Sequence, residues 1–381
     1  MTDVAIAAAG AAWEPQALAA VDQAPHLRLA RRCVDVSELL AVVRTGAASV
    51  ALVDPALPGL DIDVVRELTS AGAAVAACGD TAAAAALGIA RRPDPTQLGQ
   101  VDWAEPVPVP GPPPPPSTGA DDRSAGRVLV VWGPAGAPGR STLALALASA
   151  LAGLGQRTAL VDADVAGGTL AQQLGVLDDL SGILASCRAA GNGRVHEVDG
   201  HLVEVEPGLD LLTGIPRADL WPHLRVGALG TVLDRLRSDH AHVVVDVGSG
   251  LDLDGTVGRS RHALTRRVVE EADDLVVVGR ADPGGLSRLV RGLAELREVV
   301  PGPPSAVVVN LAGTGPGWSE REVAETVRRL AGRAPDLFLP ADPATLHAAM
   351  MHGRSPGAAA PASPFVGQVR ELVATLRLDD R

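Results

Sequence analysis

The chain has 381 residues, 47% of them hydrophobic, with no tyrosine, two phenylalanines and a formal charge of −12. Its length allows two or three domains around aliphatic cores, and the acidic balance argues against a nucleic-acid partner. All 33 residues of the Lys+Arg class are arginine, so the chain holds no lysine at all.

From the amino end, VAIAAAG (4–10), LRLARRC (27–33), SVALVD (49–54) and AAVAAC (73–78) read as strands. Segments between them, such as DVSELLAVVRTG, open on a capping residue and carry apolar positions at helical spacing. The alternation predicts a small α/β domain over 1–103, with a parallel sheet and helices on both faces. Residues 104–126, AEPVPVPGPPPPPSTGADDRSAG, are dense in proline and read as a stiff extended linker. A ligand for a proline-recognition module is the other use of such a composition. Strand and helix signals alternate again over 127–381. The strands are RVLVVW (127–132), RTALVD (157–162), HVVVDV (242–247), DLVVVG (274–279), SAVVVN (305–310) and DLFLP (336–340).

Cys33, Cys78 and Cys187 form no CxxC pair, so neither a metal cluster nor a disulfide framework is expected, and a cytoplasmic setting is the simple reading. The opening MTDVAIAAAGAAWEPQ has no basic stretch of the kind that starts a secretory signal. The apolar run 143–154 is too short to cross a bilayer. The nine histidines show no ligand spacing, and His240 and His242, which flank a strand, are expected to face solvent or cap. Trp221 is expected to pack in the core, and Cys187 has no base partner for nucleophilic catalysis.

GPAGAPGRST (133–142) stands between the strand 127–132 and a helix ending at Gly155. A phosphate-binding loop has the pattern Gly-x-x-x-x-Gly-Lys-[Ser/Thr] in that context. Gly139 and Ser141 fit, Pro134 takes the opening glycine position, and Arg140 takes the lysine position. In a chain without lysine, that arginine reads as drift of composition rather than loss of a site. Gly136 and Gly139 permit close backbone approach to an anion, and Ser141 can place its hydroxyl on Mg²⁺. Arg140 keeps the charge but is bulkier than an ammonium. Further on, VDADVAGGT places Asp162 and Asp164, and HVVVDVGSG places Asp246, at the carboxyl ends of strands, where ligands of open α/β sheets bind.

In this order the motifs resemble the ParA/MinD group of P-loop ATPases over most of 127–381. The fold class expected is therefore α/β: a doubly wound, mostly parallel sheet of the P-loop NTPase type, preceded by a smaller flavodoxin-like domain. The family's loop matches Ala135-Gly136-Ala137-Pro138-Gly139-Arg140-Ser141-Thr142, which implies ATP and Mg²⁺ as ligands. The resemblance assigns Asp164 to orienting the attacking water beside Arg140, Asp162 to the cofactor site, and Asp246 with Ser141 to the metal. It assigns Asn310 to the adenine, and Pro340 and Asp342 to the vicinity of the base. The family's first lysine, which reaches across a dimer, is replaced by Ala135, so hydrolysis is expected to be slow or absent. Arg188, Arg194 and Arg217 are the arginines considered as substitutes. The closing stretch SPFVGQVRELVATLRLDDR (363–381) ends acidic and is expected to pack on the sheet rather than lie on a membrane.

VALVDPALPGLDIDVVREL (50–68) is similar to the third strand and loop of receiver domains, with Asp54 at the phosphoacceptor position. The first strand end offers no acidic pair for Mg²⁺, so the domain is expected to bind partners without being phosphorylated, or Asp54 simply ends a strand. A receiver-like domain before such an ATPase resembles the CpaE/TadZ branch, which positions tight-adherence pilus machinery, in its actinobacterial form. The implied function is ATP-dependent dimerisation that positions a partner assembly, with any membrane association peripheral. A nucleotide-independent scaffold and a chromosome-partition or septum-site ATPase are the alternatives.

Overall fold

Strands buried on both faces read as unbroken apolar runs, whereas half-buried strands alternate; both kinds occur here, in two separate units. The computed structural model describes residues 1–103, 126–136, 139–176, 181–252, 260–313 and 318–378. One unit takes in 1–103 with Ala189–Arg194, and the other holds the rest of the described chain. Of the proline-rich stretch 104–126, only Gly126 is among the described residues.

In the smaller unit, β1 (Thr2–Ala7), β2 (Leu27–Arg32), β3 (Val50–Val53) and β4 (Ala74–Ala77) alternate with α1 (Glu14–Gln23), α2 (Val36–Arg44), α3 (Ile62–Ser70) and α4 (Thr81–Ala86). The strands pair in parallel in the order β2-β1-β3-β4, which is the flavodoxin-like order. Beyond β4, a single parallel bridge joins Ala76 to Arg91. Side chains alternate across the sheet. Ala5, Ala7, Ala51 and Val53 meet Leu39, Val64 and Leu68 on one face. Val4, Ile6, Val50 and Leu52 meet Ala17 and Val21 on the other. Asp35, Asp61 and Asp80 cap α2, α3 and α4 by accepting from backbone N–H groups in their first turns.

The larger unit begins with β5 (Arg127–Trp132), α5 (Arg140–Gly153), β6 (Thr158–Ala163), α6 (Leu170–Gln173) and α7 (Gly182–Gly191). Then follow β7 (Val203–Glu206), β8 (Leu209–Leu212), α8 (Val226–Asp239), β9 (His242–Val247), α9 (Ala263–Glu270), β10 (Asp274–Arg280) and α10 (Pro283–Val299). The chain closes with β11 (Ala306–Ala312), α11 (Glu320–Ala331), β12 (Leu337–Pro340), α12 (Pro343–Met351), α13 (Pro356–Ala359) and α14 (Pro364–Thr375). Eight strands form one sheet in the order β12-β11-β10-β5-β9-β6-β8-β7. All neighbours are parallel except β7, which pairs antiparallel with β8 at the rim.

The six expected strands of this unit all form, with ends shifted by two residues or fewer. The β7–β8 hairpin was not expected. Its turn, Pro207-Gly208, has Gly208 at φ 77°, the left-handed region glycine enters without a Cβ clash. α5 is apolar nearly all round, and Leu143 through Ser149 are buried without a break, as a helix covered on every side must be. Part of that cover is α14, whose Phe365, Val366, Val369, Leu372 and Val373 share one core with α5 and the strands. The closing helix therefore packs within the unit, as expected. His240 and His242 correct the sequence reading. Both are buried, His240 with Nε2 at 2.9 Å from Asp210 and His242 with Nε2 at 2.8 Å from Gln156 Oε1. Trp221 is half-buried. No helix among the described residues is long and apolar enough to cross a membrane.

Candidate functional site

The carboxyl ends of β5, β6, β9 and β11 bring most of the expected residues to one edge of the large sheet. Gly133 follows β5 so closely against β10 that a Cβ there would collide with the Val278 carbonyl. The chain then turns through Gly136 at φ 72° and Gly139 at φ 106°, and α5 starts at Arg140. Gly139 is the N-cap, and its Cα side is filled by the Asn310 amide from the end of β11. A side chain at Gly139 would be both strained and blocked. Ala137 and Pro138, expected in the same loop, lie outside the described residues. Ser141 and Thr142 occupy the first turn of α5, half-buried, where free N–H groups and the helix dipole favour an anion.

Arg140 does not extend away from the loop. Its Nη1 donates to the Gly133 carbonyl at 3.1 Å, and Nη2 stands 3.6 Å from Asp164 Oδ2. Asp164, 8% exposed, also accepts from the Ala166 N–H at 2.9 Å. A Cβ on Gly248, just past β9, would lie 3.1 Å from Asp164 Oδ1 and 3.5 Å from Thr265 Oγ1. The Thr265 hydroxyl is buried and has no partner among the described residues. The loop, the end of β6 and the end of β9 thus converge around Asp164.

Asp162 is placed differently from its neighbour. Its oxygens accept from the Asp164 N–H at 3.3 Å and the Leu170 N–H at 3.1 Å, and side-chain-free Gly168 and Gly214 pack against its carboxyl. Burial pushes its pKa up to about 6. Its geometry ties down the turn after β6.

Asp246 lies fully buried at the end of β9, and neither carboxylate oxygen has a hydrogen-bond partner among the described residues. Burial, and then the charge of Asp162, push its pKa up to about 8. The nearby Ser141 hydroxyl works in the opposite direction without closing a regular hydrogen bond. An orphaned carboxylate beside a hydroxyl at a helix N-terminus is an oxygen donor set suited to Mg²⁺, which keeps most of its ligands as water or phosphate oxygen. Among the described residues there is no group of three or more His, Cys, Asp or Glu able to hold a metal alone. Ser141 and Asp246 are accordingly the residues that would hold Mg²⁺ with a phosphate ligand. When bound, the ion would neutralise phosphate charge.

Asn310 is 6% exposed and accepts from the Leu311 N–H at 2.8 Å through Oδ1, so the structure sets it beside Gly139. Pro340 ends β12, and Asp342 caps α12 by accepting from the Thr345 N–H at 3.1 Å. Interactions with Thr345 hold the Asp342 pKa down. Arg217 pairs with Asp219 at 3.3 Å, while Arg188 and Arg194 are exposed on and after α7. Sequence reasoning did not single out Arg288, whose Nη1 comes within 2.5 Å of the position a Gly136 Cβ would take.

No protein-family model matches the chain, and no curated protein sequence does. Solved structures do match. A ParA family ATPase from Chlorobium tepidum TLS superposes with a TM-score of 0.57 at 20% identity, covering 66% of this chain and 99% of that one. The larger unit has the fold of the ParA and MinD ATPases. The cell division ATPase MinD of Pyrococcus furiosus matches at 0.53 and 18%, over 66% of this chain and 98% of its own. The septum site-determining protein MinD of Pyrococcus horikoshii OT3, complexed with Mg-ADP, matches at 0.51 and 16%, over 67% and 94%. The shared length is about that of 127–381.

In the smaller unit, Asp54 stands just after β3. Its Oδ2 accepts from the Trp13 indole N–H at 2.7 Å and its Oδ1 from the Ala56 N–H at 2.8 Å. Glu14, the first acidic residue after β1, is held by Arg32 through two contacts of 2.5 and 3.1 Å.

Proposed function

We propose that the larger unit binds ATP with Mg²⁺ in the manner of ParA and MinD proteins, and that its nucleotide state controls dimerisation and the positioning of a partner protein assembly. The supporting observation is the buried, unpartnered Asp246 carboxylate beside Ser141, at the mouth of a glycine loop opening onto α5. Gly136, Gly139, Arg140, Ser141 and Thr142 hold phosphates, Asp164 orients water, and Asn310, Pro340 and Asp342 lie toward the base. Hydrolysis is slow. Ala135 carries no charge, and loss of a positioned cation costs about 10³-fold or more in phosphoryl transfer.

With its flavodoxin-like unit in front, the protein takes the role of the CpaE/TadZ branch, in the cytoplasm or at the inner face of the membrane. The assembly it positions there is pilus or secretion machinery. The scaffold reading draws on one observation: the Arg140 guanidinium is turned inward, bonded to the Gly133 carbonyl and paired with Asp164.

Equilibrium ATP binding with and without Mg²⁺, in the wild type, Arg140→Ala and Ser141→Ala, separates the two. Binding by the wild type, weakened about tenfold or more in each variant, supports the nucleotide site. No wild-type binding at millimolar ATP leaves the scaffold.

A further inference from the structure

β5 and β10 are adjacent parallel strands whose following helices diverge: α5 leads to β6 on one side and α10 to β11 on the other. Ligands of open α/β sheets bind in the crevice such a divergence opens. α10 lies close against that crevice. A Cβ on Gly292 would stand 3.0 Å from Pro134 Cβ and 3.2 Å from the Trp132 ring, so the missing side chain is what lets the helix approach the base of the loop. One turn earlier on the same helical face, Arg288 reaches Gly136, its Nη1 2.5 Å from where that residue's Cβ would be.

Arg288 is exposed and has no ion pair or hydrogen bond among the described residues. Arg280 and Arg291 on either side are engaged, with Asp282 and the Ser287 carbonyl. An unpaired guanidinium resting on an anion-binding loop carries a fixed positive charge to the place where a phosphate would enter. The loop's own Arg140 turns inward to Gly133 and Asp164, and Ala135 adds no charge. Behind the loop, Asp246 offers two unpartnered oxygens beside Ser141, which marks the inner side for a metal and leaves the outer side to Arg288.

We propose that Arg288 contacts the phosphates of a bound polyphosphate ligand, supplying from α10 of the same chain the cation that the loop lacks at Ala135. This rests on the nucleotide reading above, and the test keeps the two apart.

The full-length wild type, Arg288→Ala, Arg288→Lys and Arg288→Glu are titrated with ATP, ADP and AMP in the presence of Mg²⁺, and with inorganic tripolyphosphate. Arg288→Ala is expected to weaken ATP and tripolyphosphate about 10- to 100-fold, the range for a charge-assisted hydrogen bond, and AMP least. Lysine is expected to restore part of the loss and glutamate to deepen it. The salt dependence of ATP binding is expected to flatten in Arg288→Ala. The ligand-free melting temperature should not move, because the side chain is exposed; a drop matching the affinity loss would mark a structural role and overturn the proposal. Wild-type affinity for ATP and tripolyphosphate in Arg288→Ala overturns it and leaves the nucleotide site standing. Arg288-dependent binding of tripolyphosphate without binding of ATP upholds it while the nucleotide reading fails. Binding of neither by the wild type removes both.

Discussion

Asp246 sits in the core with neither carboxylate oxygen hydrogen-bonded among the described residues, and that has a sign in pH. Its folded pKa, raised to about 8, lies above the unfolded value of about 3.9. The folded state therefore holds a proton that the unfolded state has lost between roughly pH 4 and 8. Stability falls as pH rises through that window. In Mg²⁺-free protein, Asp246→Asn is expected to melt at a higher temperature than the wild type at pH 8. The difference should shrink toward pH 5, as paired thermal melts would read. Mg²⁺ should then add nothing to ATP affinity in the variant. Asp54 is a carboxylate of the other kind, already accepting from Trp13 and Ala56, with Glu14 committed to Arg32. Beryllofluoride with Mg²⁺ should leave the fluorescence and melting of the smaller unit unchanged; a saturable shift would show a working phosphoacceptor. Asp246, Asp164 and Ser141 were legible in the sequence because a strand end and a helix start fix their places along the chain. Arg288 was not. Among 33 arginines nothing local distinguishes it, and its position depends on Gly292 letting one helix settle against a loop some 150 residues earlier in sequence.

At the scale of elements, the strongest sequence signals were strands buried on both faces, β5, β9 and β10, whose valine runs admit no other placement. The β7–β8 hairpin was missed because its first strand, VEVE, looks solvated, although the Pro-Gly turn was visible. It is anchored by a carboxylate. Glu206 accepts from the Ser149 hydroxyl on α5 at 2.9 Å and from the Ser355 N–H ahead of α13 at 3.1 Å. Ser149 and Ser355 also share a 2.7 Å hydrogen bond. Glu206→Ala is expected to cost about 1–2 kcal/mol in denaturant unfolding while leaving nucleotide affinity unchanged, since the tie lies near the far end of α5 from the loop. His240 and His242 escaped sequence reasoning for a related reason. Each is tied through Nε2 to a distant side chain, Asp210 or Gln156, which favours burial at a strand's start.

For the whole molecule, two units with separate cores predict two unfolding events. In calorimetry, Mg-ATP at about 100 times its dissociation constant should stabilise the larger unit by roughly 2.7 kcal/mol and leave the other transition in place. A single transition that moves as one would show that the units melt together. The large sheet also has two rims with a consequence for assembly. One is β12, four residues long and closed by Pro340; the other is β7, four residues long with Glu204 exposed on it. Short, charged or proline-ended rims discourage a foreign strand from pairing. Sheet-to-sheet pairing between copies of this chain is disfavoured at both rims, which leaves helices and loops as the surfaces better suited to contact another protein.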